Sequence, residues 1–194
     1  EYEATNIPGT VELYALQPAT GNLLADGDME SAKTDIWTQY ATPKVIEKST
    51  AEKKGGDRSL HIITDAPFSP TGSTGEGIEK NIAVVNPNDQ IRVRGWVKVV
   101  KGAFVAAVSD NGAGWSKQTS NITSNTWTEF TLDWQWPAAS PSGNLLMWFS
   151  TPDSTFPASE FYIDDVSVTI ERNLAIDISA SAQGSKLTIS PRQY

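Results

Sequence analysis

The segment "QIRVRGWVKVV", residues 90–100, alternates between two kinds of side chain. From 91 to 99 the odd-numbered residues are isoleucine, valine or glycine, whereas the even-numbered residues are two arginines, a lysine and Trp96. Successive side chains of a strand point to opposite faces of a sheet. This pattern therefore predicts a β-strand with one face in a core and a polar face outside it.

Segments of the same kind occur on both sides of this strand. They are "SLHIIT" (59–64), "AFVAAVS" (103–109), "WTEFTLDWQW" (127–136), "NLLMWFS" (144–150) and "FYIDDVSVTI" (161–170). Turn sequences rich in Gly, Pro and Asn separate them, and helical periodicity is poor throughout. Short strands separated by such turns predict an all-β fold, either a sandwich or a barrel.

Composition limits the classes of protein that the chain can belong to. Its 194 residues suit about one domain, at roughly 100–200 residues per domain. The net charge of −8 argues against nucleic acid as a partner, because basic surfaces supply most of that affinity. The absence of cysteine excludes disulfides; it fits an extracytoplasmic bacterial protein, although many cytosolic proteins also lack cysteine. No apolar run of about 18 residues occurs, so we expect no membrane span.

Two adjacent aspartates, Asp164 and Asp165, interrupt the apolar segment 161–170. Aspartate is depleted in strands, and alternation places Asp164 on the apolar face with Val166, where a carboxylate needs a partner. A second acidic segment, "NLLADGDMES" (22–31), supplies further carboxylates and flexible backbone. Carboxylates and carbonyl oxygens, without His or Cys, form the ligand set that calcium prefers.

In their order and spacing, five segments and Trp37 resemble the pattern of carbohydrate-binding modules of the 4/9/22 type. They are "NLLADGDMES" (22–31) followed by Trp37, "GGDRSLHI" (55–62), "NPNDQIRVRGWVKV" (86–99), "NTWTEFTLDW" (125–134) and "FYIDDVSV" (161–168). The resemblance covers about residues 21–171 and implies an antiparallel two-sheet jelly roll, galactose-binding-domain-like. Residues 1–20 are then an N-terminal extension or extra strand, and residues 172–194 are a hairpin packed on the same domain.

The resemblance also implies a structural calcium ion where the first and last strands meet. By motif position, Glu30 and Asp164 or Asp165 would be its ligands, with backbone oxygens near Gly27 and Gly56. The alternative is an edge bulge with solvated aspartates.

Modules of this kind bind glycans by stacking sugar rings on aromatic side chains of one sheet. The resemblance makes Trp115, which follows the loop "DNGAG", the first candidate, with ordinary packing as the alternative. Trp96 and Arg94 share the polar face of their strand and are candidates of second rank, although a loop could cover Trp96. Trp148 is expected in the core.

One loop departs from the family pattern. Related modules often carry a binding Trp in the loop before the third group of strands, whereas "APFSPTGSTGEG" (66–77) has none. It offers Phe68 and Glu76 as candidate ligand contacts, with Glu79 nearby. The departure weakens the expectation of a cellulose-like or xylan-like groove.

These observations favour a non-catalytic glycan-binding module of an extracytoplasmic bacterial polysaccharide-utilisation protein, with a poly- or oligosaccharide as partner and further domains conceivable. A surface-assembly sandwich without sugar binding is the alternative from another class. A jelly-roll glycoside hydrolase or polysaccharide lyase is weaker, because the clustered acidic strand motif of such hydrolases is absent. The single histidine, His61, lies within an apolar strand and is expected to be structural.

Overall fold

The computed structural model describes residues 13–16, 20–65, 76–110, 116–139, 143–152, 155–156, 158–176, 178–179 and 188–189. The strands are β1 (Leu13–Leu16), β2 (Thr38–Tyr40), β3 (Val45–Ser49), β4 (Ser59–Thr64), β5 (Gly77–Val85), β6 (Gln90–Lys101), β7 (Val105–Ser109), β8 (Ser116–Gln118), β9 (Thr128–Gln135), β10 (Gly143–Ser150), β11 (Ser159–Glu171), β12 (Asn173–Ile176), β13 (Ile178–Ser179) and β14 (Thr188–Ile189). Within these ranges no helix is long and apolar enough to cross a membrane.

Two five-stranded antiparallel sheets form the body of the protein. The front sheet has the strand order β2-β5-β10-β7-β8, and the back sheet has the order β3-β4-β11-β6-β9. Two further pairs are antiparallel, β1 with β12 and β13 with β14. The predicted all-β jelly-roll sandwich is confirmed.

The core lies between the two sheets and is formed by the inward-facing residues of both. Phe104 is fully buried at its centre, with ring centroids 5.2 Å from Phe130, 5.2 Å from Phe161 and 5.6 Å from Phe149. The aliphatic residues of β6 at 91, 93, 97 and 99 are buried, as the alternation of that strand predicts. Their burial leaves the even-numbered residues of β6 on the outer face of the back sheet.

The segment 20–27 runs antiparallel to the second half of β11. β4 pairs with β11 only between residues 159 and 163. Beyond that point the amide of Leu23 donates to the carbonyl of Val168 at 2.9 Å, and the amide of Val166 donates to the carbonyl of Gly27 at 2.6 Å. The N-terminal segment therefore covers the edge of β11 that β4 leaves open.

A β-bulge divides β11 at its two aspartates. Asp164 pairs with Trp96 and Ser167 pairs with Arg94, so two residues of β11 face the single residue Gly95. The extra residue changes which side of the sheet the following side chains face. Asp164 thus lies on the outer face with Tyr162, which is two residues before it on the same strand, whereas Val166 faces the core. The prediction that Asp164 and Val166 share a face was wrong for this reason.

Candidate functional site

One row of side chains crosses the outer face of the whole front sheet. Direct pairing runs from Thr38 to Glu79, to Trp148, to Ala107 and to Gln118, one residue from each strand. Directly paired residues of antiparallel strands point to the same side of the sheet. The row therefore places the indole of Trp148 on the middle strand, between the carboxylate of Glu79 and the methyl group of Ala107.

Trp148 lies on this outer face because its strand neighbours face inward. Met147 and Phe149 are fully buried in the core, whereas Trp148 is half-buried. The prediction of a core position for Trp148 is thus replaced by a position on the outer surface of the sheet. Next to it, burial raises the pKa of the Glu79 carboxyl above its ordinary value.

The back sheet presents a different outer face, made of charged pairs. Trp96 pairs directly with Asp164, and the ammonium of Lys54 lies 4.2 Å from the centroid of its ring. Arg94 has its guanidinium 3.7 Å from a carboxylate oxygen of Asp133. A cation from the loop after β3 therefore lies against the indole that was considered for sugar stacking.

The predicted ligand contacts do not come together in one sheet. Arg94 and Trp96 belong to the back sheet, whereas Glu76 directly precedes β5 of the front sheet. A carboxylate oxygen of Glu76 accepts a hydrogen bond from the amide of Asp65 at 2.5 Å. Phe68 and Trp115 lie outside the described residues, so their contributions stay predictions; Trp115 directly precedes β8, the edge strand of the front sheet.

His61 is part of the back-sheet surface and is only 8% exposed. Its ring stacks on Tyr162 with centroids 4.3 Å apart and an interplanar angle of 8°. Its Nδ1 lies 2.9 Å from Glu47 Oε1, and its Nε2 lies 3.1 Å from Glu160 Oε1. Both ring nitrogens thus join neighbouring strands, which suits the structural role predicted for His61. Burial and the nearby Glu160 carboxylate raise the pKa of Tyr162.

The carboxylates predicted to bind calcium lie around the loop 52–58. Asp164 is 0% exposed; its Oδ2 accepts the amides of Lys54 at 2.8 Å and Gly55 at 3.2 Å, and its Oδ1 accepts the amide of Asp165 at 2.8 Å. Burial raises the pKa of the Asp164 carboxyl, although these amide bonds act in the opposite direction. The two adjacent aspartates therefore differ in environment, because Asp164 is buried whereas Asp165 is exposed.

Glu30 reaches the same loop from the other side. Its carboxylate accepts the amide of Asp57 at 2.9 Å and the amide of Arg58 at 3.1 Å. Gly56 has a φ of 52°, and a Cβ atom there would overlap Glu30 Oε1. Glycine at position 56 therefore permits both the left-handed backbone and the close approach of the carboxylate.

These residues, as placed, do not fit a calcium ion. Calcium takes six to eight oxygen ligands. Backbone N–H groups already donate to the carboxylates of Glu30 and Asp164 and to the carbonyl of Gly27. Their partly positive hydrogens therefore face the oxygens that a calcium ion would need. Among the described residues no three acidic or histidine side chains converge as metal ligands. Calcium binding itself stays a prediction for experiment.

Sequence reasoning missed Trp148 because both faces of its strand are apolar. In "NLLMWFS" the residues Leu145, Met147 and Phe149 alternate with Leu146 and Trp148. Hydrophobic periodicity cannot distinguish two apolar faces, so only the packing of the sheets shows which one is outside. Glu79 was noted as a polar candidate, and the structure places it directly beside Trp148.

No protein-family model matches the sequence, and no curated protein matches it. Solved structures do match. The CBM22-2 xylan-binding domain of Xyn10C from Paenibacillus barcinonensis has a TM-score of 0.56 and 16% identity, covering 74% of this chain and 96% of that domain. Modules described as TmCBM61, in complex with beta-1,4-galactotriose, and as a family 16 carbohydrate-binding module also match.

Two other matches carry different descriptions. A cyclase from Fischerella sp. TAU has a TM-score of 0.57 and 14% identity, covering 79% of this chain and 98% of that one. The enzymatically active domain of tailspike protein 4 of bacteriophage CBA120 has a TM-score of 0.58 and 14% identity, covering 77% of this chain but only 21% of the other. At these identities the likeness shows the fold. The chain has the jelly-roll fold of carbohydrate-binding modules.

Proposed function

We propose that this chain is a non-catalytic glycan-binding module and that its glycan surface is the outer face of the front sheet. The observation that carries the proposal is the row across that face, with Trp148 at the middle strand between Glu79 and Ala107. The fold shared with carbohydrate-binding modules supports it. Extracytoplasmic localisation, in a polysaccharide-utilisation protein with further domains, belongs to the same proposal.

The chemistry of the row suits a sugar ring. The indole of Trp148 offers an apolar surface against which the C–H groups of a pyranose can pack. Ala107, on the neighbouring strand, is only 2% exposed, so the sugar ring would contact Trp148 and Glu79 rather than that strand. The carboxylate of Glu79 can accept hydrogen bonds from hydroxyl groups of the same sugar, and the amide of Gln118 can donate and accept at the far edge.

The charge of this row favours a neutral glycan. Its five residues include one carboxylate and no cation. The guanidinium of Arg94, which would suit an anionic glycan, lies on the other sheet beside Asp133. A neutral ligand should therefore bind with little dependence on salt, because screening acts on interactions between charges.

The test compares two tryptophans on opposite outer faces. Trp148→Ala should weaken glycan binding tenfold or more, about 1.4 kcal/mol, whereas the matched Trp96→Ala should leave it unchanged. Binding is measured by affinity electrophoresis and calorimetry on xylan, β-1,4-galactan and a sulfated polysaccharide. Trp115→Ala and Phe68→Ala in the same assay test those predicted contacts.

Two outcomes would contradict the proposed glycan surface. Loss of binding in Trp96→Ala alone would place the ligand on the back sheet. Absence of binding to a broad glycan array by the unmodified protein would favour the surface-assembly alternative. Melting curves of both variants show whether any loss of binding reflects a loss of folding.

A further inference from the structure

A lysine is buried at the corner where the calcium ion was expected. The side chain of Lys48, on β3, is 4% exposed, and that of its partner Asp26 is 9% exposed. The ammonium lies 2.5 Å from Asp26 Oδ2 and 2.9 Å from the carbonyl oxygen of Met29. Lysine is almost never fully buried unless it is paired, so this ammonium has a defined place in the fold.

The turn that this ammonium contacts has a strained backbone. Asp26 and Met29 have φ values of 55° and 60°, in the left-handed region that favours glycine. Non-glycine residues persist there only when their surroundings hold them in place. Lys48 bonds to both residues, and the amide of Ser31 donates to Asp26 Oδ1 at 2.6 Å. Met29 is also fully buried in the core.

The neighbouring oxygens of the same turn are likewise bonded to nitrogen. The carbonyl of Gly27 accepts the amide of Val166, and the carbonyl of Glu30 accepts Nη1 of Arg58 at 3.3 Å. The Glu30 carboxylate accepts amides of the loop 57–58. The oxygens that could coordinate a divalent ion thus already accept hydrogen bonds from Lys48, Arg58 and backbone amides.

We infer that the ammonium of Lys48 is the resident cation of this corner, and that the chain folds without a divalent ion. It ties the turn 26–30 to the back sheet by one carboxylate and one carbonyl. This inference does not depend on glycan binding.

The first arm of the test removes the ammonium. Lys48→Met keeps the length of the side chain but leaves Asp26 buried without its cation, so the melting temperature should fall by roughly 10 °C. Lys44→Met, at an exposed lysine just before the same strand, should change it by less than about 2 °C. The double variant Lys48→Met/Asp26→Asn should regain part of the loss, because the uncompensated charge is gone.

The second arm uses the unmodified protein. After equilibrium dialysis against buffer of known calcium concentration, elemental analysis should find no calcium beyond that of the buffer, and melting curves with calcium and with chelator should coincide. A bound ion, or a fall in melting temperature with chelator, would overturn the inference and support the calcium prediction. So would a Lys48→Met protein as stable as Lys44→Met. The metal analysis decides even if Lys48→Met does not fold.

Discussion

Asp164 shows how one buried carboxyl couples folding to pH. Its side chain is inaccessible to solvent, and burial raises its pKa above the ordinary 3.8. A carboxyl with a raised pKa in the folded state binds its proton more tightly there than in the unfolded chain. Its contribution to stability is therefore most favourable at low pH. It is lost as the pH rises from about 4 through the raised folded-state value.

We therefore expect Asp164→Asn to remove this part of the pH dependence. The free energy of unfolding of the unmodified protein, minus that of Asp164→Asn, should fall as the pH rises from about 4 toward neutrality. Urea denaturation at a series of pH values measures it. Asp35→Asn, at an exposed position, serves as the control. A difference that stays constant over the whole range would show that burial does not control the ionisation of Asp164.

At the scale of the element, the bulge in β11 decides which residues enter the core. Before it, Phe161 and Ile163 face inward; after it, Val166, Val168 and Ile170 do so. Asp165 supplies the extra residue with a φ of 49°, and aspartate enters this region more readily than most residues. A one-residue change of register exchanges the two faces of a strand.

Deleting Asp165 should therefore leave the core intact. A single residue, Val166, would then face Gly95, and the residues after it would keep their present faces. Deleting Val166 instead would place Asp165 opposite Gly95 on the core side, losing about 1.5–3 kcal/mol of burial and leaving a carboxylate in an apolar core. The first variant should melt far closer to the unmodified protein than the second. Circular dichroism of both variants tests this; an equal loss of stability in the two would refute it.

At the scale of the molecule, one asparagine joins the segment 20–27 to the second half of β11. The side chain of Asn22 donates to the carbonyl of Val166 at 2.9 Å and accepts the amide of Val168 at 2.9 Å. It also accepts the amide of Leu24 at 3.1 Å. An amide side chain thus takes the place of a backbone partner along the open edge of β11.

Asn22→Ala should destabilise the protein by about 1–3 kcal/mol, because it leaves an amide and a carbonyl of β11 without their partner. Chemical denaturation measures the change, and Asn125→Ala, in an exposed turn, is the matched control. Hydrogen exchange should rise first at Val168, whose amide Asn22 accepts. Equal stability of the two variants would show that water replaces the Asn22 side chain without cost.

Much of the fold could be predicted because alternation is a local property. β4 occupies residues 59–64 as predicted, and β6 extends the predicted segment 90–100 by one residue. The candidate site was less predictable. The aspartates at 164 and 165 suggested a bulge only as the alternative to a calcium site, and nothing in the sequence shows that two residues there face Gly95 alone. That pairing decides which side chains of β11 face the core after residue 165.

The sequence by itself determined that this is an acidic all-β chain with strands at definite places, since each strand is encoded in neighbouring residues. Only the tertiary structure decided that Trp148 faces outward beside Glu79 and that the amine of Lys48 reaches Asp26. The reason is physical: an apolar residue can satisfy either face of a sheet, and an ion pair forms only after distant segments have packed.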